Sequence, residues 1–520
     1  MSNLLATVAV GAVSLFACLH VLIHWLHDAK EPPLAPTSIP FIGHIIGLSR
    51  KKIRYYVELR DKYKLPICTL YLPGTKLYII NSASLIPVVQ KQIKALAFPP
   101  LEAMAAKHIC GSSKVASDIL DTNVNGEDGP RSYSVSHYPV VRVPLLPGSG
   151  LDAMNRVMAQ KIAESIDGTK QTRKVKLFEF IRHEITIATT DSVYGPLNPF
   201  RDPKVEQSFW DFQPGIMILL MQLVPSFLAK DSIAAREKLT KAFLAYFQQD
   251  GHLQGSNLIK ARVDHSIDYN IPLEDIARFE CGGALGILGN TSPSTFWLIY
   301  HVYSNPTILS ECREELGRVI SDTHISTSGK GKTLRTLDMT SVKTACPILL
   351  STFQEVLRKH SVSVSARLVT QDHLLDGKYL LKKGATLMMP APIQHTSSDA
   401  FGATVNDFDH RRFLPGQRGH NPVAFRAFGG GSTLCPGRHF ATTEILAFTA
   451  MMILRCDVRP VEGEWRCPTT NNAAMWESTP MPDFDLDVVV EPRVGNEENV
   501  EWRVMISSSD KAIKLSVEDM

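Results

Sequence analysis

One cysteine of this chain lies in a sequence that suits chemistry. Residues 428–441 read FGGGSTLCPGRHFA, with three glycines before Cys435 and a proline directly after it. Glycines let a backbone adopt positive φ and come close to a flat ligand, and Pro436 suits the first turn of a helix. A cysteine at a helix N-terminus is surrounded by amide donors, which favours the thiolate. A thiolate facing a glycine-floored cavity is the strong axial ligand that a haem iron needs.

The same segment resembles the haem-binding loop of the cytochrome P-450 family. A lone cysteine is more often a small buried hydrophobe, but here the family's spacing is met at four positions. The resemblance implies haem b (iron protoporphyrin IX), with Cys435 as the iron ligand and Phe428, Gly429 and Gly437 as cofactor-binding residues. Thr433 departs from the pattern, because most members place a cationic residue there. The four matching positions are Phe428, Gly431, Cys435 and Gly437.

A long apolar segment, 273–304, predicts one helix that crosses the domain. Pro293 should bend it, because a proline cannot donate to the carbonyl four residues earlier. We expect a groove of small residues beside Asn290. The family usually has an acid and an alcohol here, whereas this chain has Gly289, Asn290 and Thr291. Since an asparagine carries no titratable proton, proton delivery would pass through water ordered by Asn290 and Thr291, which we take as catalytic candidates.

The run NTSPSTFW, residues 290–297, resembles the branch of sterol 7α-hydroxylases and prostacyclin synthase. Some members of that branch hydroxylate, while others rearrange a peroxide without a reductase. Asn290 does not separate the two. We therefore keep a haem-thiolate isomerase or dehydratase as an alternative to a monooxygenase, and a non-catalytic haem-binding protein as a remote one.

Two further segments match supporting motifs of the family. Glu355 and Arg358 stand three residues apart on a predicted helix, and Arg412 lies in a segment just upstream of the cysteine loop. The resemblance implies that these three form a buried structural charge network. Arg367 matches an arginine that binds a haem propionate, a role suited to a bidentate guanidinium. With Thr433 uncharged, Arg367 should carry more of that role.

Composition excludes some classes of function. The formal net charge is +3 and there is no Lys/Arg-rich block, so we expect no nucleic-acid partner. The hydrophobic fraction of 44% and the charged fraction of 21% are typical of a chain with a sizeable core. Nine scattered cysteines, with no metal-like spacing, indicate reduced thiols facing the cytosol.

The N-terminus predicts a membrane anchor at residues 1–30. Residues 4–26 contain no Asp, Glu, Lys or Arg, and about 20 apolar residues cross a bilayer as a helix. Lysines and an arginine follow, which places the downstream chain on the cytosolic side. A cleaved signal peptide would need a basic start, which residues 1–3 lack. We expect a single-pass protein, most consistent with the endoplasmic reticulum.

A proline-rich hinge at 31–50 should follow the anchor, and the catalytic domain should cover 51–520. Within it, Ile67 to Leu72 and Leu77 to Ile80 predict a β-hairpin. Residues 99–150 look irregular, and the resemblance places them over the substrate cavity. Residues 209–228 are an apolar run, interpreted either as a cavity lid that touches lipid or as a core helix. Residues 496–520 look like a polar tail.

The expected fold is therefore mainly α with a small β subdomain, in the cytochrome P-450 pattern, after an N-terminal transmembrane helix. The resemblance implies a monooxygenase that receives electrons from NADPH-cytochrome P-450 reductase. Its substrate should be a bulky lipophilic molecule delivered from the membrane, with a steroid- or terpenoid-like skeleton and a place in secondary metabolism.

Overall fold

The structure, a computed structural model, describes residues 2–167, 171–327, 330–417, 421–493 and 500–506. The chain divides into two units. The first contains residues 1–101, 362–406 and 420–434, and the second contains residues 102–361, 407–419 and 435–520. The mainly helical composition with small sheets agrees with the predicted fold class.

The first unit is organised around a five-stranded sheet. Its strand order is Ile67–Leu72, Thr75–Ile80, Thr386–Pro390, Val364–Val369 and Leu96–Ala97. The first two strands form the predicted hairpin, with Gly74 at φ 76° in the turn. The second hairpin is His373–Leu375 with Tyr379–Leu381. Alternate apolar side chains such as Tyr78, Ile80 and Leu387 are fully buried, because one face of the sheet builds the core of this unit.

The first unit also contains one long helix at its start and several short ones. They are Ser2–Leu26, Gly43–Lys51, Arg54–Tyr63, Leu85–Gln90, Ala391–His395 and Ser398–Phe401. The prolines of the predicted hinge are extended and are joined to the sheet at Thr69. The Thr69 carbonyl accepts from the backbone N–H of Ala35, and the Thr69 backbone N–H donates to the Pro33 carbonyl. Lys52 adopts φ 51°, which separates the helix Gly43–Lys51 from the helix Arg54–Tyr63.

The predicted anchor forms the helix Ser2–Leu26. Over the residues that the structure describes, however, no helix combines the length and the apolar character needed to cross a membrane. The transmembrane helix of the sequence prediction is therefore not found.

The second unit is mostly helical. Its helices are Lys114–Asp121, Tyr133–Arg142, Ser149–Asp167, Leu177–Tyr194, Pro203–Phe212, Ile216–Met221, Pro225–Leu228, Lys230–Gln248, Gly251–Gln254, Asn257–Asp268, Leu273–Leu288, Thr291–Tyr303, Pro306–Val319, Met339–Ala345, Pro347–His360 and Arg438–Arg455. Helix Pro99–His108 leads into this unit. Two three-stranded sheets complete it, with the orders Cys456–Pro460, Asp487–Pro492, Arg173–Lys176 and Val500–Met505, Lys330–Asp338, Ile320–Thr327.

Residues 99–150 are more regular than expected. Three helices occupy most of this stretch, so the prediction of an irregular segment is wrong. Ser113 and Ser132 start two of them, because each side chain accepts from the backbone N–H three residues later. The predicted polar tail is also partly wrong, since Val500–Met505 pairs in parallel with Lys330–Asp338. Residues 496–499 and 507–520 of this tail lie outside the described part of the chain.

The run 209–228 is neither one core helix nor one exposed element. Phe209 and Phe212 are fully buried at its start. Three short turns of helix follow, and the end is exposed, with Val224 at 66% and Phe227 at 78% of full exposure. The apolar end of this run therefore faces outward.

Candidate active site

The cysteine loop folds as its glycines predict. Gly429 and Gly431 adopt φ 76° and 62°, and a single 3-10 turn covers Gly431–Thr433. A β-carbon at Gly429 would come within 3.2 Å of the Thr433 carbonyl, and the positive φ would strain any other residue there. The chain then passes Cys435 and enters the helix Arg438–Arg455, which we name the cysteine helix. Phe428 is half-buried at the start of the loop.

The Cys435 thiol is not activated by the helix terminus alone. Burial raises its pKa above the ordinary value, and this outweighs the backbone N–H groups of Gly437 and Arg438 and the Arg438 charge, which lower it. The position of Cys435 before a helix predicted only the lowering of its pKa. Because a bound metal cation deprotonates a coordinating thiol, the thiolate would be supplied by ligation itself. A β-carbon at Gly437 would lie 4.0 Å from Sγ, at ordinary van der Waals distance, so this glycine lies close to the sulfur.

Arg367 is a buried cation in the first unit. Its side chain donates to the Thr433 hydroxyl at 2.7 Å and to the Ala366 carbonyl at 2.7 Å. Burial, followed by the positive charge of Arg426, lowers the pKa of Arg367 to about 10. In the described residues no carboxylate pairs with it. A buried charge normally needs a counter-charge, so the site fits an anionic group such as a haem propionate.

The central helix is two helices. Leu273–Leu288 and Thr291–Tyr303, here the first and second central helices, are separated at Gly289 and Asn290. The break therefore lies near Gly289, the residue whose carbonyl Pro293 cannot bond because it has no N–H. The sequence predicted an interruption at this point. The second helix also ends at Tyr303 rather than Ser304.

Asn290 has a structural partner that the sequence did not reveal. Its Oδ1 accepts from the backbone N–H groups of Ser478 and Thr479, at 2.9 and 3.1 Å. One and two turns further along, Ser294 donates to the Thr479 hydroxyl at 3.1 Å and Trp297 donates to the Pro480 carbonyl at 2.9 Å. One face of the second central helix therefore holds the segment 478–480.

The expected groove beside Asn290 is bounded at Gly289 by an aromatic side chain. The Trp476 indole lies against Gly289, 3.6 Å from the position of a β-carbon there. Thr291 is buried, and its hydroxyl donates to the Ile287 carbonyl at 3.2 Å. The Asn290 oxygen and the Thr291 proton are thus engaged by protein groups, and their role in ordering water stays a prediction.

Glu355 lies at the centre of a charge network in the second unit. Both of its oxygens accept from Arg358 at 2.7 Å, and Arg412 Nε lies 3.1 Å from Oε2. The Asp409 backbone N–H donates to Oε1 at 3.0 Å. The side chains of Glu355 and Arg358 are at most 1% exposed and that of Arg412 is 9% exposed. Arg358 and Arg412 also donate to the Asp407 carbonyl, so the network joins the helix Pro347–His360 to the segment before the cysteine loop.

A cavity of about 300 Å³ lies within the second unit. Its wall includes the predicted substrate-covering region and the first central helix, which contributes residues from Ile276 to Gly286. Most of its lining is apolar, as is usual for small-molecule sites. Apolar wall residues include Ala103, Ile109, Leu120, Val141, Ile276, Phe279 and Leu285.

Comparison with known proteins decides the family. The chain is 36% identical to the cytochrome P-450 monooxygenase nodJ of Hypoxylon pulicicidum over 94% of this chain and 95% of that protein. The family model for cytochrome P-450 matches residues 288–482. This chain belongs to the cytochrome P-450 family.

Other relatives agree. A cytochrome P-450 monooxygenase of Gibberella zeae is 27% identical over 84% of this chain and 83% of its own length. Cytochrome P-450 7B1 of Mus musculus is 23% identical over 87% of this chain and 89% of its own. The solved structure of a cyanobacterial CYP120A1 with retinoic acid bound matches with a TM-score of 0.67, at 17% identity over 89% of this chain and all of that one. The P-450 fold and the monooxygenase class predicted from the motifs are confirmed.

The residues of this P-450 fit a haem. Cys435 offers a thiol just before the cysteine helix, and Arg367 offers a buried cation that no carboxylate of the described residues pairs with. When bound, the haem iron supplies the redox chemistry, while the protein orients the substrate and excludes water. The assignments of Phe428, Gly429, Gly437 and the other site residues to these roles remain predictions.

Sequence reasoning missed the link between Thr433 and Arg367. Thr433 was expected only as the loss of a charge, yet its hydroxyl accepts from the arginine that should replace that charge. The polar residues of the cavity were missed too. Glu102, His137, Arg262 and Glu280 belong to no motif, and four different helices carry them.

Proposed function

We propose that this P-450 oxidises a bulky lipophilic substrate with dioxygen and electrons from NADPH-cytochrome P-450 reductase. The observation that carries the proposal is the apolar cavity of about 300 Å³ along the first central helix. A cavity of this size and character accepts a molecule with a large carbon skeleton and few polar groups. Closing such a molecule into an apolar chamber displaces water from the reacting bond.

In this proposal the cofactor is haem b. Cys435 coordinates the iron, and Arg367, oriented by Thr433, binds a propionate. The network of Glu355, Arg358 and Arg412 stabilises the region before the cysteine loop and takes no part in the chemistry. Asn290 and Thr291 order water that delivers protons.

A steroid- or terpenoid-like skeleton is the substrate class that we favour, within secondary metabolism. Among the relatives is the 7-alpha-hydroxycholest-4-en-3-one 12-alpha-hydroxylase of Oryctolagus cuniculus, 22% identical over 91% of this chain and 97% of its own. Its name describes a hydroxylase of a steroid skeleton. This relative, together with the cavity, supports the proposal.

The test is reconstitution. The purified protein, its reductase and NADPH are incubated with lipophilic extracts, and products heavier by one oxygen atom are sought by mass spectrometry. Cys435→Ser should abolish both these products and the red-shifted Soret band of the reduced carbonyl adduct. An arm with a lipid hydroperoxide and no NADPH tests the rearranging alternative. Product in that arm alone would refute the monooxygenase proposal.

We also propose that residues 1–30 attach the protein to the endoplasmic reticulum, with the catalytic domain in the cytosol. The uncharged stretch 4–26 supports this. Fractionation of cells that express the full chain, or the chain without residues 1–30, tests it. Equal partition of both forms into the soluble fraction would refute it.

A further inference from the structure

The wall of the substrate cavity contains an ion pair that no motif indicates. Arg262, on the helix Asn257–Asp268, donates from Nη1 to Glu280 Oε1 at 2.8 Å. Glu280 lies on the first central helix, and both residues line the cavity. The side chains are 13% and 4% exposed. A pair this far from solvent, inside a chamber that is otherwise largely apolar, costs desolvation free energy.

The surrounding residues position this pair. Tyr194 donates its hydroxyl to the same Glu280 oxygen at 2.8 Å, and burial, then the Glu280 charge, raises the pKa of Tyr194 so that it remains a donor. A β-carbon at Gly283 would lie 2.7 Å from both Arg262 Nη1 and Glu280 Oε1. Glycine at this position, one turn from Glu280, therefore leaves the space that the pair occupies.

The guanidinium keeps unused donors. In the part of the chain that the structure describes, its hydrogen bond to Glu280 is the only one that the Arg262 guanidinium makes. Its other nitrogens are not among the buried polar atoms without a hydrogen-bond partner, so they are not shut off from the cavity. An arginine has five N–H donors in a fixed plane, so those left over are available to a molecule in the cavity.

Charge balance decides which group these donors accept. Glu280 already neutralises Arg262, and Glu102, the other carboxylate of the lining, pairs with His137 at 2.5 Å. A carboxylate or phosphate on the substrate would lie near two protein carboxylates with no spare cation in the described wall. A neutral oxygen gains the hydrogen bonds without this repulsion.

We infer that Arg262, held by Glu280, is a specificity-determining residue that binds a neutral oxygen, a ketone or hydroxyl, on an otherwise apolar polycyclic substrate. This inference rests on the proposed function and narrows its substrate class. The pair anchors one end of the skeleton, so it also fixes which carbon is presented for oxidation.

The test is a Soret titration of the haem-loaded protein with three probes on one skeleton: androstane, its ring-A ketone androstanone, and an androstane carboxylate. The wild-type protein should bind androstanone about 10- to 100-fold tighter than androstane, the range for one hydrogen bond to a charged group. It should also prefer the ketone to the carboxylate.

The variant is Arg262→Met combined with Glu280→Gln, which keeps the wall neutral and avoids an unpaired buried charge. We expect it to bind androstane as the wild type does and to lose the preference for androstanone. The matched control is Arg278→Met. Arg278 lies on the first central helix, as Glu280 does, and pairs with Glu237 at 2.8 Å outside the cavity lining. This control should keep the preference.

Several results would overturn the inference: no ketone preference in the wild type, a preference that survives in the double variant, or equal weakening of both probes. A purely structural role of the pair would produce the last of these. Binding needs no turnover, so this inference can fail while oxygenated products are found. The proposed function can likewise fail in reconstitution while the ketone preference is measured.

Discussion

Glu444 gives a quantitative prediction about pH and stability. It lies on the cysteine helix, fully buried, where Oε1 accepts from the Thr189 hydroxyl at 2.6 Å. Its other oxygen is buried and has no partner in the described residues. Burial raises the pKa of Glu444 from 4.5 to about 8, and the Thr189 hydrogen bond offsets only part of this effect. The folded protein therefore holds this proton at neutral pH, whereas the unfolded chain does not.

The sign and size follow from proton linkage. Between about pH 4.5 and pH 8 the folded state binds one more proton than the unfolded state, so the unfolding free energy falls as pH rises. The loss is about 1.4 kcal/mol per pH unit, or roughly 5 kcal/mol across the window. With an unfolding entropy of about 2.1 cal/mol/K per residue, this corresponds to a decrease of about 4 °C in Tm for a chain of 520 residues.

Glu444→Gln removes the titration and keeps an oxygen for Thr189. We expect its Tm, measured by circular dichroism from pH 5 to pH 9, to fall less steeply with pH than that of the wild type, so that the variant is the more stable form above about pH 8. Glu314→Gln is the matched control, because the Glu314 side chain is 70% exposed. Parallel Tm curves for the wild type and Glu444→Gln would refute the reasoning.

Three further predictions concern other buried ionisable groups. Glu355→Gln should lower the unfolding free energy by about 3–5 kcal/mol, since it leaves two arginines without their carboxylate. Urea unfolding measures this difference. In the control Glu164→Gln, at an exposed side chain, the unfolding free energy should change by less than about 1 kcal/mol. Arg367→Leu should speed transfer of haem to apomyoglobin, followed by absorbance, and a transfer rate equal to the wild type would contradict the propionate assignment. His360 and His301 share a hydrogen bond of 2.9 Å, and burial lowers the pKa of His301 to about 3 and that of His360 below its ordinary value. The unfolding free energy should therefore fall as pH falls below about 6.5, because the unfolded chain binds protons that the folded chain does not. His360→Phe keeps an aromatic ring to stack on Trp297 and should make this decrease less steep in thermal melts at acid pH. An unchanged dependence of Tm on pH would contradict the prediction.

What the sequence could predict was local. The hairpin at Pro73 and Gly74, the glycine loop and the start of the cysteine helix depend on residues a few positions apart. Positive φ at Gly429 and Gly431 is a backbone property that the residue type itself allows. These features were therefore accessible without a structure.

The prediction for 99–150 was wrong because the same residue types occur both in loops and at the starts of helices. Residues 99–150 are rich in residues typical of loops, but serine is also a preferred N-cap, and Ser113 and Ser132 start helices there. The pKa of Cys435 was misjudged for a different reason. The sequence indicates the helix terminus, which lowers this pKa, but not the burial, which raises it and dominates.

Contacts between separate elements could not be predicted from one sequence. Thr433 meets Arg367 across 66 residues, and Arg262 meets Glu280 across two separate helices. Neither pair has a spacing rule, because each depends on how the elements pack. The polar features that should select the substrate therefore became visible only in three dimensions.

The contacts of Asn290 limit how this protein can evolve. Most P-450 sequences place an alcohol at this position, and a single substitution to threonine would restore it. In this chain the same substitution would remove the oxygen that accepts from both Ser478 and Thr479, and a shorter side chain could not span both amides. Substitution by the common residue would weaken the attachment of 478–480, which would then depend on the contacts from Ser294 and Trp297, so a proton-relay benefit would come with a structural cost.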